Sequence, residues 1–153
     1  MTGRYFAYGS NMNPARVRER GLALAAEPRA ATLQGFRLCF DKIAAGPAGV
    51  GHANVLVAPG ASVHGVLYEL ADAQEILKMD PFERAPINYG REAVQVECEG
   101  AQLWTWTYFA NRACRAPGLR PSSTYLAHLL AGKPWLPSDY HALIAATETA
   151  EVA

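Results

Sequence analysis

The chain has 153 residues and a mass of 16.5 kDa, half of the residues being hydrophobic, enough for one buried core and one domain. Lys plus Arg equals Asp plus Glu at 14 each, so no net field draws nucleic acid or an anionic membrane surface. No apolar run approaches the ~20 residues that cross a bilayer, and Met1 to Tyr8 lacks the pattern of a secretory signal.

These features predict a cytoplasmic protein whose partner is a small ligand or another protein, with monomer and homodimer both open. Three cysteines, Cys39, Cys98 and Cys114, are an odd number without a Cys-x-x-Cys pair, which predicts reduced thiols and neither a disulfide framework nor a zinc site.

In chain order, Tyr5 to Tyr8 reads as a short aromatic strand that ends at Gly9-Ser10-Asn11, with Asn13 and Pro14 as the cap and first residue of a helix. Thr32 to Phe40 patterns as a strand, with Gly35 allowing a bend or bulge, and Ala44 to Gly51 is a Gly/Pro/Ala loop. Ala53–Val57 and Val63–Tyr68 read as two strands of a hairpin turned by Pro59-Gly60-Ala61-Ser62. Asp72 to Met79 has the residue types of a short helix that stops before Asp80-Pro81.

Arg91 to Cys98 and Gln102 to Phe109 form a second predicted hairpin across Glu99-Gly100, and Trp104 and Trp106 share one face of it as core or ligand wall. Ser122 to Leu130, closing near Gly132, and Ser138 to Ala146 are predicted helices. Strands grouped in the middle and helices at the edges, without strand-helix alternation, predict an α+β class with a curved or closed sheet. Residues 1–146 are taken as one domain and 147–153 as a flexible tail.

Two segments carry candidate chemistry. A strand that ends in Tyr8-Gly9-Ser10-Asn11 just before a helix leaves backbone N–H groups that can hold a carboxylate. An ordinary capped turn gives the same pattern and is the commoner case. In Met79-Asp80-Pro81-Phe82-Glu83-Arg84, burial of Glu83 beside Phe82 would raise its pKa toward that of a useful base, whereas a solvated loop charge fits the local pattern equally. None of Ser10, Ser62, Ser122 and Ser123 lies in a Gly-x-Ser-x-Gly elbow, and His52, His64, His128 and His141 lack ligand spacing, so neither a serine nucleophile nor a metal is expected. Gly46, Gly49 and Gly51 have no Gly-Lys-Ser/Thr after them and are loop glycines.

Together, Tyr5-Phe6-Ala7-Tyr8-Gly9-Ser10-Asn11-Met12, Leu33-Gln34-Gly35-Phe36, Val63-His64-Gly65-Val66-Leu67-Tyr68, Met79-Asp80-Pro81-Phe82-Glu83, Tyr89-Gly90-Arg91 and Pro121-Ser122-Ser123-Thr124-Tyr125-Leu126 resemble, in order, the γ-glutamylcyclotransferase-like (AIG2-like) family. The resemblance implies a mixed, largely antiparallel β-barrel flanked by helices. It further implies that a γ-glutamyl amide is cyclised to 5-oxoproline with release of its amine. Glu83 would be the general acid/base, Phe6, Ala7, Tyr8, Gly9, Ser10 and Asn11 the head-group cradle, and Tyr125 a pocket wall. No cofactor or metal is required.

Arg84 stands where the family often has Gly, which opens three roles for it: tightening the loop, pairing with Glu83 to lower its pKa, or selecting a different substrate. Other readings of the same fold are a non-catalytic module binding a small ligand or partner, and a hydrolase acting on another amide. The segments Ala44–Gly51 and Arg112–Arg120 are expected to set specificity.

Overall fold

Apolar side chains that recur at every second position need a sheet with one face covered, and a closed sheet provides it. The computed structural model describes residues 3–150. In it the strands β1 (Arg4–Ala7), β2 (Arg29–Ile43), β3 (Gly51–Glu69), β4 (Tyr89–Cys98) and β5 (Ala101–Ala110) close in the order β1-β3-β2-β4-β5. The long β2–β3 ladder, β1–β3 and the β4–β5 hairpin are antiparallel. The barrel closes where Tyr5 of β1 pairs in parallel with Trp106 of β5. The fold is therefore the mixed α+β barrel expected.

Along β1, Tyr5 and Ala7 join one buried cluster and Phe6 joins the other. Phe6, Leu33, Val55, Val63, Leu67 and Val96 make up the second cluster, drawn from the inward positions of four strands. The first packs Met12, Val17, Tyr68, Ile76, Met79, Leu126 and Leu129 beneath the helical segments. At ~25 cal/mol per Å2 of apolar area removed from water, each such large side chain contributes about 1.5–3 kcal/mol.

The helices start where their caps predict. Asn13 Oδ1 accepts from the Ala15 N–H at 3.2 Å and Pro14 opens α1 (Pro14–Glu19). Ser122 Oγ accepts from the Tyr125 N–H at 3.1 Å and opens α2 (Ser123–Leu130), and α3 (Ser138–Ala145) follows.

Three expectations change. Ala53–Val57 and Val63–Tyr68 are not a hairpin: both belong to β3, one continuous strand antiparallel to β2. Pro59-Gly60 sits in a register shift, where the pairs Gln34↔Ser62 and Phe36↔Val57 leave Ala58 to Ala61 opposite Gly35 alone. Gly35 and Gly60, at φ 82° and 84°, absorb this shift, so the turn chemistry makes a bulge instead of a reversal. The Asp72–Met79 segment tightens to a 3-10 turn at Glu75–Lys78, because the Asp72 carboxylate takes the N–H groups of Gln74 and Glu75 at 2.8 and 3.1 Å. Trp104 is half-exposed, while Trp106 packs against the first core cluster under the Arg91 guanidinium, 4.2 Å from the ring centroid. In the expected tail, the Ala150 N–H donates to Pro121 O at 2.8 Å, and residues 151–153 lie outside the described residues.

Candidate active site

The C-terminal ends of β1, β2 and β5 and the N-terminal ends of β3 and β4 share one end of the barrel, as the register requires. A cavity of about 650 Å3 opens there, within the usual range for small-molecule sites. Five of the chain's seven tyrosines, Tyr5, Tyr8, Tyr89, Tyr108 and Tyr125, line it. Their hydroxyls are tied into the protein: Tyr8 donates to Tyr108 O (2.6 Å), Tyr89 to Ala53 O (2.8 Å) and Tyr108 to Asp80 Oδ1 (2.6 Å). The wall is thus rigid, apolar in its faces and polar in its edges.

Glu83 points into this cavity from the turn that follows Met79, with its side chain 16% exposed. Asn11 Nδ2 donates to Glu83 Oε1 at 3.0 Å and to the Tyr5 hydroxyl at 2.9 Å, and Asn11 Oδ1 accepts from Arg20 Nη1 at 3.0 Å. Arg20 Nη1 lies 3.8 Å from Glu83 Oε1. Burial pushes the Glu83 carboxyl above its ordinary value, opposed by the Arg20 charge first and then by the Asn11 hydrogen bond, Arg16 and Lys42. The result is a carboxylate that is held in place and more basic than a surface glutamate. The turn carrying it is fixed from below by Asp80, which accepts from both Arg91 Nε (2.8 Å) and Tyr108.

Tyr125 stacks on His52, ring centroids 4.3 Å apart and planes within 8°, and its hydroxyl accepts from the Ala53 N–H at 3.0 Å. Burial raises the Tyr125 pKa to about 12. Burial, then the Lys42 charge, lowers that of His52 to about 4. Both are neutral near pH 7.

Of the residues expected to bind substrate, Tyr8, Gly9, Ser10, Asn11 and Tyr125 line the cavity together with Glu83. Phe6 and Ala7 do not: both are buried, Phe6 in the second core cluster and Ala7 in the first. Glu83 is buried with its pKa raised, as the sequence suggested, and Phe82 lines the same cavity while itself half-exposed, with the Arg20 guanidinium 5.0 Å from its ring centroid. Arg84 does not pair with Glu83: the cation within ion-pair distance is Arg20. Arg20 and Lys42 carried no motif, and His52 stood only within Gly51-His52-Ala53-Asn54-Val55, a segment of the family resemblance to which no role was attached.

Gly9 faces a constraint of its own. A Cβ there would lie 3.0 Å from the Ala53 Cβ and 3.2 Å from the Tyr125 hydroxyl. Gly9→Ala is expected to fold, with a melting temperature within a few degrees of wild type, but to displace Tyr125 and weaken ligand affinity by about tenfold, since misplacement of ~1 Å costs a site heavily. An unchanged affinity by calorimetry would remove the Gly9–Tyr125 contact from the site.

The family profile described as "Gamma-glutamyl cyclotransferase, AIG2-like" matches residues 5–135. The chain belongs to the AIG2-like γ-glutamyl cyclotransferase family. Among solved structures it is similar to a γ-glutamyl cyclotransferase at 24% identity, covering 99% of this chain and 91% of that one, with a TM-score of 0.83. An uncharacterised protein from Homo sapiens matches at 25% identity with the same coverages and TM-score. A glutathione-specific γ-glutamyl cyclotransferase from yeast shares the fold at 15% identity, TM-score 0.64, over 92% of this chain and 93% of its own. A comparison with curated proteins gave no match.

Arg84 has a φ of 50°, in the left-handed region, which glycine enters freely and an L side chain enters at a cost of roughly 1–2 kcal/mol. Arg84→Gly is therefore expected to keep or raise the melting temperature, by up to a few degrees once glycine's own entropy is subtracted. A clear drop in calorimetric melting temperature would contradict this account of the turn.

Proposed function

We propose that this family member cyclises a γ-glutamyl amide to 5-oxoproline in the cytoplasm, releasing the free amine, with Glu83 as general acid/base. The observation that carries the reading is the setting of Glu83: a raised-pKa carboxylate held by Asn11 in a cavity large enough for a dipeptide-sized ligand. A γ-glutamyl amide brings its own nucleophile, the α-amino nitrogen, so the protein has to fold the substrate and move protons.

Glu83 takes a proton from the α-ammonium group. The freed amine attacks the γ-carbonyl carbon and closes a five-membered ring, the backbone N–H groups around Gly9 and Ser10 receiving the substrate's developing negative charge or its α-carboxylate. The C–N bond to the departing amine then breaks as Glu83 returns the proton to that nitrogen, and the carboxylate so freed takes the second proton from the ring nitrogen and passes it to the amine. The products are 5-oxoproline and the amine as its ammonium ion, and nothing is oxidised or reduced. Tyr125 and Tyr8 limit the space around the folded glutamyl chain.

Product analysis tests this directly. Incubation with γ-glutamyl-alanine in 18O-labelled water is expected to give unlabelled 5-oxoproline. Glutamate carrying 18O would mean that water, not the α-amine, is the nucleophile.

A further inference from the structure

Four cationic side chains line the cavity, Arg16, Arg20, Lys42 and Arg84, against one carboxylate, Glu83. Arg20 answers Glu83, but Lys42 answers nothing. It is 6% exposed, at the end of β2, where a second bulge between Cys39 and Lys42 sets it opposite His52. Among the described residues its ammonium has no hydrogen-bond or ion-pair partner, only the face of Tyr89 with the ring centroid 5.6 Å away.

The groups around it make the deficit worse. The adjacent carboxylate, Asp41, is committed to Arg115 at 2.8 Å and Asn54 at 2.9 Å. His52 is neutral, Arg84 is a like charge, and Glu83 lies beyond ion-pair distance. The side chain is largely buried while its ammonium opens on the cavity, and a charge confined in this way is costly to leave unpaired unless a ligand supplies the counter-charge.

Its place in the cavity says which part of a ligand. Tyr8 to Asn11 and Tyr125 flank one side of the site, next to α2. Lys42 instead leads into the Ala44–Val50 loop, which is tied to the 112–120 segment through Val50↔Arg120 and Lys42↔Arg115 pairing and through the Gly51 N–H to Arg120 O bond at 2.9 Å. Ala44, Ala45, Ala113 and Cys114 form the wall there.

We infer that Lys42, with Arg84 beside it, binds a carboxylate on the departing amine, so that γ-glutamyl derivatives of carboxylate-bearing amines are preferred over those of neutral or cationic amines. This rests on the proposed cyclisation for the name of the departing group. The bound carboxylate neutralises the confined ammonium, and a neutral amine leaves that cost unrelieved. Lys42 is thus a specificity-determining residue with no part in proton transfer.

The test compares γ-glutamyl-alanine with γ-glutamyl-ethylamide, which lacks only the second carboxylate, by calorimetric binding in the Glu83→Gln background, where turnover does not intrude. A preference of about tenfold or more for γ-glutamyl-alanine is expected, the size of one charge-assisted hydrogen bond. Lys42→Met is expected to reduce that preference to within twofold while melting at or above the parent temperature, and Lys42→Arg to retain it. An unchanged preference in Lys42→Met, an equal loss for both ligands, or binding of neither overturns the inference. Wild-type protein that binds γ-glutamyl-alanine with the preference but forms no 5-oxoproline would overturn the cyclisation alone and leave the carboxylate subsite standing.

Discussion

Glu83→Gln is expected to abolish measurable 5-oxoproline formation, a fall of about a thousandfold in kcat, within the usual range for loss of a general acid/base. The replacement keeps the shape of the side chain, and its amide oxygen still accepts from Asn11 Nδ2, so binding is expected to survive. Stability should move the opposite way from activity.

The folded carboxyl titrates above its ordinary value, so between the ordinary carboxylate pKa and the raised one the folded chain binds more protons than the unfolded chain. Stability therefore falls as pH rises through that window and stays lower above it. Glu83→Gln lacks this loss: it should melt at or above wild type at pH 7–8, and the gap should close near pH 4, where the wild-type carboxyl is protonated in both states. Burial, the largest cause of the shift, sets this sign over the opposing Arg20 charge. Retention of wild-type turnover would remove Glu83 from the chemistry, and a variant that melts well below wild type at pH 8 would refute the electrostatic account.

Asn11→Asp is expected to lower kcat/KM at pH 7 by about a hundredfold and to move the acid limb of the pH profile upward by at least about one unit. The substitution is nearly isosteric, but it puts a second carboxylate 3.0 Å from Glu83 Oε1 in a buried site. Two carboxylates at that distance share a proton, and the second ionisation of the pair is pushed up. Glu83 would then lack its free-base form at neutral pH, and activity should recover partly toward pH 9. A profile that superimposes on wild type would mean that the Asn11–Glu83 bond does not govern the titrating group. A merely structural role for Asn11 would lower the rate without moving the limb.

The parts legible in the sequence were those specified by neighbours in the chain. The Asn13-Pro14 and Ser122 caps, the Glu99-Gly100 hairpin and the turn after Tyr8 all rest on contacts within a few residues, and all appear where expected. Pro59-Gly60 misled because its chemistry suits a reversal or a bulge equally, and only the partner strand, with Gly35 at positive φ opposite, decides between them.

The site was legible only through the order of spaced motifs. Asn11 and Glu83 are 72 residues apart, and Arg20, Lys42 and Tyr125 come from three further elements. No window of sequence contains the burial that distinguishes Glu83 from a surface carboxylate, or the absence of a partner that distinguishes Lys42.

The β4–β5 hairpin is paired fully within itself, through all ten residues from Tyr89↔Ala110 to Cys98↔Ala101, and among the described residues it meets β2 and β1 through the registered pairs Thr32↔Glu97 and Tyr5↔Trp106, with side-chain bonds such as Thr107 Oγ1 to Phe6 O alongside. It also carries Tyr89, Thr107 and Tyr108 of the cavity wall. One side of the chamber is thus a self-paired hairpin, and the other is anchored in the long β2–β3 ladder with Lys42 and His52. Because Asp80 ties the Glu83 turn to Arg91 and Tyr108 of that hairpin, a change that tilts the hairpin carries the carboxylate with the wall, so the size of the chamber and the position of Glu83 vary together while the β2–β3 ladder stays as it is.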